Sequence, residues 1–348
     1  MGSAPWDAGP GVVESILDRH ARHLVGVAVG VGRGGGTWTF GRGRVGAGRP
    51  GSPGPDTLFE LGSITKVFTA TLLASMAGEG IVALDDPANR YLPPGGRLPV
   101  RGRPITLLDL ATHSSGLPRL PKGILRMSLF RHRDNPYAPF TVAQLERAAA
   151  EARLKREPGT RPRYSNFGMG LLGHVLGLAA DLPYGTLVRD RICDPLGLVD
   201  TRVEVPAGDL GRFADGHDRR GRPVPHWELP SLAGAGALRS TVHDMLRFLE
   251  LQHGDGPSAL ARAARATHGA RLRRGRIAQC LGWMSLESRD GARLLWHDGG
   301  TGGFRSFCAF APETGAHVVV LSNGTRRVDR IGFRIMEALR REAKISRA

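Results

Sequence analysis

The sequence predicts an α+β fold: an antiparallel β-sheet formed by both chain ends, flanked by helices, with a mostly helical inserted subdomain. Three observations carry this expectation. Strand-like runs lie near the N-terminus, at Val25 to Val31 and Thr37 to Val45. Others lie near the C-terminus, at Leu281 to Leu286, Arg293 to His297, Phe304 to Phe310 and His317 to Leu321. Between the two sets, apolar residues recur mostly at helical spacing. Such an order suits one sheet closed by both termini and covered by segregated helices. With 348 residues, 41% of them hydrophobic, a single large core is affordable. Residues 1–348 are therefore read as one domain. Its sheet-bearing part covers about 1–80 and 275–348, and its helical part about 81–274.

Taken in order, Val12 to Leu24 is a helix and Gly32 to Gly36 a hairpin turn between the first two strands. Thr57 to Leu61 is a short strand. A long helix follows over about Ser63 to Ala77, ended by Gly78 and Gly80. Ile81 to Leu92 is rich in turns, Ile105 to Ala111 is helical, and Thr112 to Pro118 is a loop. Arg119 to Phe140 is irregular, basic and dotted with aromatics, a natural specificity lid. Helices follow at Thr141 to Leu154, Phe167 to Ala180 and Tyr184 to Ile192, then from a Thr241 cap to about Leu251. Val328 to Lys344 is a closing amphipathic helix.

Composition narrows the function. The net charge is +16 and the isoelectric point about 11.1. The arginines are spread along the chain, densest at Arg271 to Arg276, and no helix-turn-helix, zinc-finger or RNA-binding aromatic pattern accompanies them. No nucleic-acid partner is expected, and no apolar run is long enough to span a membrane. Met1 to Pro10 lacks a basic cluster followed by an apolar run, so a cytoplasmic location is expected. Cys193, Cys280 and Cys308 have neither pairing nor metal spacing and read as buried apolar residues. No metal or other cofactor is implied. Lysine occurs only at Lys66, Lys122, Lys155 and Lys344. A lysine kept where the chain otherwise uses arginine hints at lysine chemistry, because arginine does not act as a base.

Three short patterns carry chemistry. Ser63-Ile64-Thr65-Lys66 opens a helix, so the amine at i+3 reaches the hydroxyl. The helix start adds backbone N–H groups suited to an oxyanion. Alone the tetrapeptide also fits a capping serine and a surface lysine. The apolar neighbours Val67, Phe68, Leu72, Leu73 and Met76 argue instead for burial. Tyr164-Ser165-Asn166 offers a phenol whose pKa a nearby ammonium can lower, and an amide that donates to a carbonyl and accepts from Lys66. His297-Asp298-Gly299-Gly300 ends a strand. Its glycines let a substrate lie against the strand edge, and His297 adds a positive or hydrogen-bonding group.

In this order, Ser63-x-x-Lys66, Tyr164-x-Asn166 and His297-x-Gly299 resemble the motifs of the serine β-lactamase and penicillin-binding-protein superfamily. Tyr-x-Asn looks like its class C branch, with esterase, D-aminopeptidase and acyltransferase relatives. Further stretches resemble the family, among them Phe59 to Ser63, Ile105 to Pro118, Pro195 to Leu198 and Ala235 to Thr241. The resemblance implies the β-lactamase/transpeptidase-like fold and a small-molecule acyl substrate. It implies that Ser63 forms an acyl-enzyme while Lys66 and Tyr164 share acid and base duty. Asn166 would orient Lys66 and substrate, and the N–H groups of Ser63 and Gly300 would form the oxyanion hole. Where the family often has Lys-Thr/Ser-Gly, this sequence has His297-Asp298-Gly299. A histidine is a weaker cation, and an aspartate facing the site would repel a carboxylate. That points to an esterase-like hydrolase or acyltransferase. A β-lactamase or D-Ala-D-Ala carboxypeptidase, and a non-catalytic sensor on the same scaffold, are the alternatives.

Overall fold

The structure, a computed structural model, describes residues 9–124, 134–254, 256–288 and 291–345. One eight-stranded sheet organises it. Its strands are β1 (Gly26–Arg33), β2 (Gly36–Gly43), β3 (Leu272–Arg274), β4 (Ile277–Gln279), β5 (Met284–Glu287), β6 (Arg293–Gly300), β7 (Arg305–Ala311) and β8 (Ala316–Ser322). They pair antiparallel in the order β2-β1-β8-β7-β6-β5-β4-β3. The expected joining of the two chain ends is thus the β1–β8 ladder, with Val29 opposite Val320.

Both faces of the sheet are covered, which explains the continuous apolar runs of β1 and β8. The longer helices are α1 (Gly9–His20), α2 (Thr65–Gly78), α3 (Asn166–Ala180), α4 (Val242–Leu251) and α5 (Asp329–Ile345). On the outer face, Val13 and Leu17 of α1 and Ile331 and Ile335 of α5 pack on Val29, Phe307 and Val318. Alternate strand residues, among them Leu295, Cys308, Phe310 and Val319, join the inner core with α2, α3 and α4. Helix α4 lies against β1 and β8, so part of the inner cover comes from residues within 81–274.

Most expected elements form, with shifted ends. The Ser63 helix begins as a 3-10 turn, Gly62–Ile64, before α2 proper. The helix expected over Thr141 to Leu154 is shorter, Val142–Ala150, and Thr141 caps it through a reciprocal bond with Gln144. The hairpin β3–β4 and the helix Ala259–Ala266 were not expected. The hairpin contains the run Arg271 to Arg276, whose charge masks an edge strand that faces water. Within the lid stretch Arg119 to Phe140, residues 125–133 lie outside the described residues. All three cysteines are free and buried. Among the described residues, no single helix is long and apolar enough to cross a membrane.

Candidate active site

Ser63 sits where three backbones meet. Gly62 has φ +51°, a left-handed conformation that glycine adopts freely, and it turns the chain from the Phe59–Glu60 strand into α2. The end of β6 lies against this turn. A methyl group on Gly299 would stand 2.1 Å from Leu61 O and 3.1 Å from Ser63 N. One on Gly62 would stand 2.6 Å from Gly300 N. Glycine is therefore required on both sides, and the amides of Ser63 and Gly300 are brought close together. Ser306 on β7 fixes the approach by donating to Leu61 O at 2.7 Å.

Lys66 lies one helical turn on and is fully buried. Its Nζ is 2.9 Å from Ser63 Oγ and donates to Ala235 O at 2.6 Å. Ala235 belongs to the short turn Ala233–Gly236, which Thr69 also grips by donating to Gly234 O. Burial holds the Lys66 amine well below the usual lysine range, and the positive Arg119 lowers it further.

Tyr164 approaches from the other side and donates to Ser63 Oγ at 2.6 Å. The loop at 113–119 holds it. Ser165 caps α3 by accepting from Gly168 N–H, and it donates to Pro118 O. Asn166 N–H and Phe167 N–H both donate to Arg119 O. His113, at φ +58°, accepts from Ser165 N–H through Nδ1 and lays its ring 4.6 Å from that of Tyr164. The expected lowering of the phenol pKa is reversed. Burial raises it, outweighing the Ser63 hydrogen bond and the cation Arg119. Tyr164 is a protonated donor here.

A lysine held well below its usual range beside a serine, with a protonated phenol on the same oxygen, is a relay able to take and return one proton. The family profile described as Beta-lactamase matches residues 13–339. The chain belongs to the beta-lactamase family. By family it is a serine hydrolase. The D-alanyl-D-alanine-carboxypeptidase/endopeptidase AmpH of Escherichia coli (strain K12) is 30% identical over 342 residues, covering 89% of this chain and 84% of that protein. The class C beta lactamase structure from Rhodobacter sphaeroides superposes with TM-score 0.79 at 28% identity, covering 96% and 99%. The Beta-Lactamase/D-Alanine Carboxypeptidase structure from Pseudomonas syringae gives TM-score 0.82 at 24% identity, covering 95% and 99%.

Within this family site, three residues are placed differently from the sequence expectation. Asn166 does not reach Lys66. Its Nδ2 donates to Tyr137 OH at 3.4 Å, and its buried Oδ1 has no partner among the described residues. The acceptor for Lys66 is Ala235 O instead. His297 is not a cation. It is buried, and burial pushes its pKa down to about 3. Its Nδ1 sits 2.7 Å from the Asp298 carbonyl, so Nδ1 carries the proton and Nε2 is a lone pair. Asp298 does not face the site either. Strand alternation sends His297 and Gly299 inward and Asp298 outward, where its side chain is exposed.

Ala235, His113 and Arg119 were not foreseen as site residues. Ala235 and His113 stood inside family-like stretches, with no side-chain chemistry to mark a backbone acceptor or a ring buttress. Arg119 was hidden among many arginines. Its guanidinium carbon stands 5.1 Å from the centre of the Tyr164 ring.

Proposed function

We propose that this serine hydrolase is an esterase-like acyl hydrolase or acyltransferase that works through a Ser63 acyl-enzyme on a small ester, thioester or amide. The observation that carries this reading is the neutral, buried His297 at the position where the family often has a lysine. Such a residue offers no positive charge to the carboxylate of a β-lactam or of a terminal D-alanine.

The proposed steps balance around one proton. Neutral Lys66 takes the Ser63 hydroxyl proton as Oγ bonds to the acyl carbon. The carbonyl oxygen, now negative, is held by the Ser63 and Gly300 N–H groups, each donor worth about 3 kcal/mol of barrier. The bond to the leaving group then breaks, and that group leaves with a proton from the Tyr164 phenol, which regains one from Lys66. Water or an acceptor alcohol or amine attacks the acyl-enzyme, gives its own proton to the Lys66–Tyr164 pair, and restores the Ser63 hydroxyl. Burial assigns the duties, because it favours the uncharged forms of both groups.

A second reading, β-lactamase or D-alanine carboxypeptidase, draws on the relatives' names. Intact mass after a fluorophosphonate, and turnover of a nitrophenyl ester, a chromogenic cephalosporin and a D-Ala-D-Ala peptide, separate the two. We expect a Ser63 adduct and faster ester turnover. Faster cephalosporin or peptide turnover would replace the first reading with the second. No adduct would end both.

A further inference from the structure

The missing cation of the third motif has a counterpart elsewhere in the cleft. Arg119 follows Pro118 at the end of the loop that holds the tyrosine motif, and its backbone carbonyl is fixed by Asn166 and Phe167. Its side chain is exposed and lies over the Tyr164 ring. Among the described residues, no carboxylate pairs with it. Its charge is felt by Lys66, His113, Tyr137 and Tyr164, the buried groups around Ser63 and Asn166. The other nearby arginine, Arg305, is committed. Its Nη1 bonds Thr301 O and Phe304 O, and alternation with Phe307 places it on the outer face. His297 and His113 are neutral in their buried positions. Arg119 is then a guanidinium without a carboxylate partner among the described residues, over the tyrosine that bonds Ser63.

We infer that Arg119 is a specificity-determining residue that binds an anionic group, carboxylate or phosphate, carried by the acyl substrate on the tyrosine side of the cleft. The inference rests on the acyl-enzyme reading above and narrows its substrate class. A guanidinium held over an aromatic ring by cation–π attraction still has N–H groups to offer a bidentate anion. The Tyr137 and Trp227 rings, 5.1 Å apart, border the amide of Asn166 through Tyr137. An apolar linker with a terminal anion fits such surroundings. The anion moves from the β6 edge, where related motifs carry lysine, to the opposite wall.

The test compares kcat/KM for four esters on the full chain. One is 4-nitrophenyl butyrate, which is neutral. One is mono-4-nitrophenyl glutarate, with the carboxylate on the acyl side. The third is 4-carboxyphenyl butyrate, compared with phenyl butyrate, with the carboxylate on the leaving group. We expect one anionic ester to exceed its neutral counterpart by about tenfold or more, as charge-assisted hydrogen bonds allow. Which one does so tells where the anion sits. Arg119→Gln should bring that ratio close to one, and Arg119→Lys should restore part of it. Raising salt should lower the ratio in the unaltered protein, a readout that needs no variant. Arg119→Gln should also move the acid limb of the pH–rate profile to higher pH. Loss of the arginine charge raises the Lys66 pKa, and Lys66 must be neutral to act. A ratio near one for both anionic esters, or a ratio untouched by Arg119→Gln, would overturn the inference. Fluorophosphonate labelling separates the two failures. An adduct on Ser63 without anion preference removes Arg119 alone, whereas no adduct removes the acyl-enzyme as well.

Discussion

The inner face of the sheet carries two clusters of buried titratable side chains, and they are built differently. At Ser63, Lys66 and Tyr164 both converge on one oxygen, and Lys66 has a second acceptor in Ala235 O. Around Phe310, His253, His268 and His317 crowd together, with the His253 and His317 rings 5.2 Å apart. There, among the described residues, both nitrogens of His253 and Nε2 of His317 have no hydrogen-bond partner. Burial shifts pKa values in both places, down to about 3 for His253 and about 4 for His268 and His317. Desolvation alone thus does not distinguish a reaction centre. What distinguishes Ser63 is a connected set of donors and acceptors ending on a nucleophile beside two backbone amides.

The sharpest break of that comparison is Ser63→Ala. Turnover of the nitrophenyl ester should fall by about 10⁴-fold or more, with covalent labelling lost and the melting temperature preserved. Retained turnover would place the nucleophile elsewhere. Tyr164→Phe keeps the ring on His113 but removes the donor. A loss of about 10²- to 10³-fold in kcat is expected, the range for one acid–base group. A change in KM with kcat intact would make the phenol a binding group only. Gly299→Ala tests the close approach. Its methyl would meet Leu61 O, so the β6 edge must retreat from Ser63. Misplacement of this kind costs about 100-fold, and full activity would mean that the Gly300 amide has no part in the reaction.

The fold was legible because β1 and β8 are apolar on both faces, and runs such as Val25 to Val31 and His317 to Leu321 have no other use in a chain of this kind. The Ser63, Tyr164 and Gly299 positions were legible because each needs a particular side chain, or the absence of one. Lys66's acceptor was not, since a backbone carbonyl such as Ala235 O is available from any residue type. The state of Tyr164 was not legible either. Proximity to a lysine argues for a lowered phenol pKa, and only burial depth shows that desolvation wins. The β3–β4 hairpin was lost because edge strands carry charge, and a run of arginines reads as surface loop.

The smallest effect concerns the second cluster and is one of stability. A histidine whose folded pKa lies below its unfolded value of about 6.5 binds fewer protons in the native state. Its contribution is intact above about pH 6.5. It declines as pH falls from there towards about 3 for His253 and about 4 for His317. Each such histidine can remove about 1.4 kcal/mol per pH unit within that window. Unfolding free energies measured between pH 7 and 5 should fall, and His253→Leu should reduce the fall by about 1–2 kcal/mol while leaving ester turnover at pH 7 alone. The contrast with Ser63 makes this informative. His253 touches Phe310 and His317, and among the described residues no hydrogen bond or ring contact joins it to Ser63, Lys66 or Tyr164. A loss of turnover in that variant would tie the two clusters through the sheet. An unchanged acid profile would mean that His253 is hydrated and that the unpartnered nitrogens are reached by water.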